Sequence, residues 1–285
     1  TTDGGMTISS SFKVMDENTK EDYDAGFTLA FTDGSKLDLI NAGNASGSHA
    51  VSVPSSAGAE GVAVTTSNSA STGLDFMTAS TALGLEYHTA ADFLADGLKA
   101  SISYSADSGA AATSSYEISS HYAIGATYVS DLGDTAVTIG AGYSLADGSK
   151  TGATAISNDP GGVHIGVSAV TGDLTVALGF ADGDTTSADA DANEMAGEVV
   201  KAGVKYVTGD LTFNVGIASG TSKDGVVGTP GTTEDSKDVT SASISYVVAA
   251  GVTAILGYTD VDSSDEGIND TTDGSAWYIG ANMSF

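Results

Sequence analysis

The sequence predicts an all-β chain that forms a transmembrane antiparallel β-barrel of about fourteen strands. Three observations support this fold class. Apolar and polar side chains alternate with a period of two in run after run, short turns alternate with long acidic loops, and aromatic residues stand at both ends of the apolar face. We therefore expect residues 1–285 to form a single barrel domain.

The clearest hairpin spans residues 198–219, where two alternating runs meet at Gly209-Asp210. A two-residue turn of this type is typical of a tight β-hairpin. One face of the second run is apolar and consists of Leu211, Phe213, Val215 and Ile217. The opposite face is small and polar and consists of Thr212, Asn214, Gly216 and Ala218. Each strand therefore has one apolar side and one side suited to water.

Similar runs continue along the chain and, with the two runs of this hairpin, give the strand count. The other predicted strands are 6–14, 23–32, a return run beginning at Lys36, 79–88, 98–105, 116–129, 135–145, 163–170, 174–180, 239–248, 252–258 and 275–285. Between them lie five long acidic loops: 107–115, 146–160, 182–194, 220–238 and 260–274. Such loops at one end and short turns at the other are typical of a membrane barrel, whose two rims face different compartments.

Aromatic residues mark both ends of the apolar band. One set precedes the short turns and consists of Tyr87, Tyr128, Tyr206 and Tyr246. The other set precedes the long loops and consists of Tyr104, Tyr143, Phe180 and Tyr258. Two aromatic rows that flank an apolar band are typical of the interfacial girdles of a membrane barrel.

Composition excludes several other classes of protein. The most apolar stretch, 246–258, has 13 residues, whereas a membrane-spanning helix needs about 18. The net charge is −28, with nine lysines and no arginine, so binding to nucleic acid through a basic surface is not expected. The absence of cysteine excludes disulfides and thiolate chemistry.

Both ends of the chain resemble known outer-membrane proteins. The run 277–285, which finishes in Met283-Ser284-Phe285, resembles the terminal strand with a C-terminal aromatic residue of outer-membrane barrels. Residues 1–39 resemble the general porins of alphaproteobacteria in the part that follows their first hairpin. The resemblance implies a homotrimeric channel in a bacterial outer membrane, in contact with the lipid bilayer and lipopolysaccharide. It also implies a sixteen-stranded barrel whose first two strands precede residue 1, with a closed fourteen-stranded barrel as the alternative.

Residues 41–78 interrupt the strand pattern and are rich in Ser, Ala, Gly and Thr. A loop of this length is either functional or a mobile surface loop. The porin resemblance implies that it folds into the lumen and narrows the pore. Porins usually set basic wall residues, often arginines, against acids of this loop. Here arginine is absent and the loop holds only Glu60 and Asp75 as acids.

The strand register assigns a set of charged and histidine residues to the non-lipid face. With the two loop acids, the candidate pore-lining residues are Lys13, Asp24, Asp38, Glu60, Asp75, Glu86, His88, Lys99, Glu117, His121, His164, Lys201 and Lys205. The strand pattern, the alternation of short turns and long loops, the two aromatic rows and the terminal Phe285 together predict a water-filled channel that passes small hydrophilic solutes by diffusion. Because acids greatly outnumber lysines, we expect this channel to favour cations.

The acidic loops are either solvated surface or weak Ca²⁺ sites, because clustered carboxylates suit this cation. The candidate ligands are Asp182, Asp184, Asp260, Asp262 and Asp265, although neither group has EF-hand spacing. No resident cofactor is required.

An enzymatic role is not predicted, because no catalytic motif occurs and the four histidines fall on different elements. Two other functions are open: a surface β-solenoid or adhesin, and a plugged, substrate-specific barrel. A solenoid predicts a fixed repeat length, and the spacing of the runs varies.

Overall fold

The computed structural model describes most of the strand-forming part of the chain. The described residues are 4–11, 26–40, 42–55, 84–106, 116–150, 156–158, 161–184, 196–223, 234–264 and 271–284. Within them no helix is long and apolar enough to cross a membrane. The helical structure in these ranges is a single 3₁₀ turn, Gly47–His49.

Fifteen strands are present in the described residues. They are β1 (Thr7–Ser11), β2 (Gly26–Ala30), β3 (Lys36–Leu39), β4 (Gly84–His88), β5 (Leu98–Ala106), β6 (Tyr116–Leu132), β7 (Thr135–Lys150), β8 (Ile156–Asn158), β9 (Gly161–Thr171), β10 (Leu174–Asp184), β11 (Ala196–Thr208), β12 (Leu211–Lys223), β13 (Glu234–Ala249), β14 (Val252–Ser264) and β15 (Thr271–Met283).

Fourteen of these strands form one sheet in which each strand pairs with the next along the chain, and β8 pairs only with the end of β7. Every pairing is antiparallel, from β1–β2 to β14–β15. In the described residues the strand order begins at β1 and ends at β15. The predicted all-β barrel of about fourteen strands is confirmed, while the two additional strands before residue 1 stay a prediction.

The sheet is apolar outside and polar inside, which is the reverse of a soluble protein. Ile102 is 58% exposed and Ile165 is 52% exposed, whereas His121 is 0% exposed. All eight aromatic residues of the two predicted rows lie on the outward face, and Tyr258 packs on Trp277 there with ring centroids 4.7 Å apart. Lipid can cover this face, because its exposed side chains are mainly aliphatic and aromatic.

Tight turns join the strands at one end of the barrel. Gly172 and Gly209 each begin a two-residue Gly-Asp turn with positive φ, 55° and 56°. Glycine reaches this left-handed conformation without the steric cost that a Cβ atom brings. The predicted hairpin at Gly209-Asp210 is therefore present, with Thr208 opposite Leu211.

At the other end the strands continue beyond their predicted limits. β7 extends to Lys150, β12 extends to Lys223, and β13 begins at Glu234, so parts of the predicted loops 146–160 and 220–238 are strand. The prediction of long loops starting at 182 and 260 was also wrong, because β10 and β14 continue through these positions. Beyond the membrane both faces meet water, so apolar alternation stops while backbone pairing continues.

We expect the two faces of β9 to respond differently to a charge. Val167 points outward between Ile139 and Leu178, and Ser168 points inward beside Ala177. Val167→Lys should lower the free energy of unfolding in lipid vesicles by about 2–4 kcal/mol, since the ammonium group would enter the bilayer near its middle. Ser168→Lys, the matched control, should change it by less than about 1 kcal/mol, because its ammonium group reaches the lumen. Equal losses, measured by denaturant titration, would contradict this orientation of the sheet.

Candidate functional site

Residues 42–55, which we call the lumenal segment, lie against the inward face of the barrel. They are the described part of the predicted loop 41–78, and the rest of that loop lies outside the described residues. Ala42, Ala45, Ser46, His49 and Val51 of this segment are buried, although no regular strand pairs with them. The burial comes from the barrel wall, so the segment is docked on the wall along its described length.

A row of wall glycines makes room for the segment. These wall glycines share one property: a Cβ atom in their place would lie too close to an atom of the segment. They are Gly84, Gly125, Gly140, Gly142, Gly166, Gly203 and Gly216. At Gly125 the obstacle is the carbonyl of Ala45, at Gly140 that of His49, and at Gly203 that of Pro54. The row runs from β4 to β12, so the segment follows the wall across the sheet at a separation that only glycine allows.

Wall side chains hold the backbone of the segment by hydrogen bonds. His121 on β6 donates from Nδ1 to the Gly43 carbonyl at 3.2 Å, and His164 on β9 donates from Nε2 to the Ser46 carbonyl at 2.8 Å. In the other direction, the Ala45 N–H donates to Ser103 Oγ at 2.9 Å. Both wall histidines are almost completely buried, so these bonds replace the water that the segment carbonyls would otherwise bind.

His49 reverses this arrangement, because it reaches from the segment to the wall. Its Nδ1 lies 2.7 Å from Thr127 Oγ1, and its Nε2 lies 2.8 Å from Ser101 Oγ. Ser101 Oγ also lies 2.8 Å from Nδ1 of His88. The four histidines of the chain, which the sequence places on different elements, therefore meet in this site. His121 and His164 bind the segment, and His49 and His88 share Ser101 as a partner.

Next to His88 lies a small cluster of charged side chains on β3 and β4. Asp38 Oδ2 accepts from Lys36 Nζ at 2.8 Å and lies 3.0 Å from His88 Nε2. Its other oxygen accepts from the Thr28 hydroxyl at 2.6 Å. Glu86 stands directly opposite Asp38 in the register and is 4% exposed. The cluster thus brings two carboxylates, one ammonium group and one imidazole to the same part of the lumen.

Burial lowers the pKa of His49 below its ordinary value near 6.5. The negative charge of Glu86 opposes this shift, while His88, His164 and Lys99 add to it. His49 lies in the lumenal segment, outside the membrane-spanning strands. Its neutral form is favoured in the docked state, because a charged imidazole would lose most of its water there.

The structure places most of the candidate pore-lining residues on the inward face. Those whose side chains are described and point inward are Asp38, Glu86, His88, Lys99, His121, His164, Lys201 and Lys205. Glu117 lies on β6, but its side chain is not described. Four candidates lie outside the described residues: Lys13, Asp24, Glu60 and Asp75. His121 and His164 are covered by the segment, so they hold the wall and segment together instead of facing open water.

Three of the candidate metal ligands, Asp182, Asp260 and Asp262, lie on the outward face of the sheet. Asp182 follows the outward-facing Phe180 on β10, and Asp260 and Asp262 follow Tyr258 on β14. Asp184 is in β10 without a described side chain, and Asp265 lies outside the described residues. In the described part of the chain no three His, Asp or Glu side chains form a group that could hold a metal ion. Calcium binding at this rim stays a prediction.

Lys36 is a site residue that the sequence analysis did not single out. It shares the inward face of β3 with Asp38, so the period-2 pattern contains the necessary signal. The wall glycines were also missed as a group. Their row becomes visible only when the strands are aligned, because single glycines in separate strands form no local pattern.

Comparisons with known proteins give a fold but no family. No protein-family model matches the chain, and no curated protein matches it in sequence. Among solved structures, Salmonella typhi OmpF in complex with daunomycin aligns with a TM-score of 0.56 and 16% identity, over 90% of this chain and 77% of that one. The outer-membrane channel DcaP of Acinetobacter baumannii gives 0.56 and 10% identity, over 90% and 84%. OmpT of Vibrio cholerae, in its trimer form, gives 0.53 and 15% identity, over 90% and 80%.

These likenesses confirm the expected fold, because each similar structure aligns over 90% of this chain with a TM-score above 0.5. The chain is thus a β-barrel with porin-like architecture. Membership of the alphaproteobacterial porins stays a resemblance, since no comparison tests it.

Removing the free space at one wall glycine should loosen the segment. Gly140→Ala puts a methyl group against the His49 carbonyl, whereas Gly280→Ala on β15 meets nothing within 4 Å. Overpacking of this kind costs about 1–3 kcal/mol, so we expect amide hydrogen exchange in residues 43–50 to accelerate at least about fivefold in Gly140→Ala. Gly280→Ala serves as the control and should exchange like the parent chain. Unchanged exchange in Gly140→Ala would show that the segment is not seated on the glycine row.

Docking of the segment should weaken in acid. Because the pKa of His49 is lower in the docked state than in the free segment, docking is fully favoured above pH about 6.5 and weakens as the pH falls below it. Exchange of the Ala45 amide, corrected for its intrinsic rate, should therefore be slower at pH 7.5 than at pH 5.5. His49→Gln keeps a polar side chain that does not titrate, so its exchange should depend less on pH. An equal pH dependence in both proteins would remove His49 from this role.

Proposed function

We propose that this chain forms a water-filled channel through the outer membrane, in which small hydrophilic solutes and ions diffuse passively. The observation that carries this proposal is the inverted sheet, apolar toward lipid and polar toward the inside, with a segment docked on the inner wall. A barrel that served only as an anchor would not need a polar interior with charged side chains such as Asp38, Glu86 and Lys201. No chemical reaction is part of the proposal.

The lumenal segment narrows the channel in this proposal. It occupies space inside the barrel, and its position is fixed by the wall glycines and by His121 and His164. The segment itself carries neither an acid nor a lysine, and its titratable side chain is His49. Within the described residues, the charges at this level therefore lie on the wall and not on the segment.

Preference for cations is the finer part of the proposal. It rests on the net charge of −28 and on the inward carboxylates Asp38 and Glu86. Inward lysines oppose it, and among the described residues Lys99 and Lys205 are exposed. Negative charge at a channel mouth raises the local cation concentration, although salt screens the effect beyond about 8–10 Å.

Assembly as a homotrimer is a further part of the proposal. One similar structure, Vibrio cholerae OmpT, is described in a trimer form, and the aligned portion covers 80% of that chain. The outward face is apolar over its whole middle band, so it can meet either lipid or another protomer. Contact with lipopolysaccharide is part of the same proposal, and a divalent cation would have to bridge its phosphates to outward acids such as Asp182 and Asp262.

Single-channel recording in a planar bilayer tests the channel directly. We expect stepwise openings of the purified chain, grouped in threes if the trimer forms, because each barrel would supply one water-filled path. In a tenfold KCl gradient, the reversal potential should show preference for K⁺ over Cl⁻. The preference should decrease as total salt is raised, since the wall charges are then screened.

A silent bilayer would contradict the proposal, provided that insertion of the folded chain is shown in the same preparation. That result would favour a plugged, substrate-specific barrel. Openings with preference for Cl⁻ would still support a channel. They would contradict the cation preference that we assign to Asp38 and Glu86.

A further inference from the structure

A polar cavity of about 430 Å³ lies between the strands β2 to β4 and the lumenal segment. Its volume falls in the range of about 300–1,000 Å³ that small-molecule sites occupy. The side chains that give it its polar character are Thr28, Lys36, Asp38, Ser48, Glu86 and His88. The cavity therefore joins the charged cluster of the wall to one end of the docked segment.

The two carboxylates of this cavity differ in their bonding. Asp38 is fully engaged, because it accepts from Thr28 at 2.6 Å and from Lys36 at 2.8 Å and lies 3.0 Å from His88 Nε2. Glu86 is only partly engaged. Its Oε2 accepts a long bond of 3.4 Å from the Gly43 N–H. Its Oε1 is buried and has no hydrogen-bond partner, since His88 Nε2 is 3.6 Å away.

An unsatisfied buried carboxylate oxygen is costly, so this atom calls for a donor with positive charge. The other carboxylate of the cavity, Asp38, already has such a donor, because the Lys36 ammonium group lies 2.8 Å from its Oδ2. A metal ion is the poorer match, because the described residues contain no group of three His, Asp or Glu that could share one. A primary alkylammonium group supplies three N–H donors and a single charge.

We propose that this cavity binds small solutes that carry a primary ammonium group, and that the Glu86 side chain turns toward the cavity so that Oε1 accepts a hydrogen bond from that group. The site makes the lumen selective among cations, since a solute that can donate to Glu86 stays longer beside the segment than K⁺ does. This inference rests on the proposed channel only for the route by which a solute arrives. Binding itself needs no ion flow.

Equilibrium binding of n-butylammonium tests the site. The full chain, refolded in detergent micelles at pH 8, is titrated and binding is followed by saturation-transfer NMR. We expect n-butylammonium to bind and butan-1-ol, which has the same number of heavy atoms and no charge, to give no saturable signal. Glu86→Gln keeps the side-chain volume and should weaken binding about tenfold, the effect of losing one hydrogen bond to a charged group.

Two further variants locate the site and control for net charge. Asp134→Asn removes one negative charge in the turn between β6 and β7 and should bind like the parent chain. Lys36→Met removes the competing ammonium group and leaves His88 Nε2 as the remaining neighbour of Asp38 Oδ2, so binding should tighten several-fold. This second prediction remains decisive even if Glu86→Gln does not fold.

The inference is overturned if n-butylammonium binds no better than butan-1-ol, or if Glu86→Gln and Asp134→Asn bind equally well. Potassium conductance, measured on the same preparations, separates it from the proposed function. Conductance without n-butylammonium binding would contradict the binding site and support the channel. Binding without conductance would contradict the channel and support the binding site.

Discussion

The structure depends on one constraint: in hydrocarbon, every backbone N–H and C=O group must find its partner inside the protein. The continuous antiparallel ladder from β1 to β15 meets this requirement for the strands that lie between its two ends. Once the backbone is satisfied, side chains are free to invert the usual arrangement. Aliphatic and aromatic groups such as Ile102 cover the outside, and histidine, serine and carboxylate groups such as His121, Ser103 and Glu86 fill the inside. A polar interior is therefore compatible with a stable fold here.

The docked segment solves the same problem by different means, because it has no neighbouring strand to complete its hydrogen bonds. Wall side chains replace the missing strand: His121 and His164 donate to its carbonyls, and Ser103 accepts from its amide. Close approach is required for these bonds, and the wall glycines permit it. The burial that results also explains why the pKa of His49 falls and why Glu86 is removed from bulk water. The hydrogen bonds of the segment, the lowered pKa of His49 and the burial of Glu86 consequently all result from the close approach of segment and wall.

Most of the spanning fold could be predicted from the sequence. Each strand has lipid on one face and water on the other, so apolar and polar residues alternate along it with a period of two. The hairpin at Gly209-Asp210 is an example. Strand ends could not be predicted, since β12 continues to Lys223 where both faces are wet and alternation no longer reports pairing. The loop 41–78 was recognisable as an interruption. Its docked path was not, because Gly125, Gly140 and Gly203 lie far apart in sequence and become neighbours of the segment only through the register.

The wall histidines grip the segment by its main chain, at the carbonyls of Gly43 and Ser46, and not by its side chains. Side chains of the segment that make no such contact, such as that of Ser48, are therefore separable from the fastening. This separation gives the barrel a modular interior. Residues that meet passing solutes can be exchanged, by evolution or by an engineer, while the path of the chain that presents them stays the same.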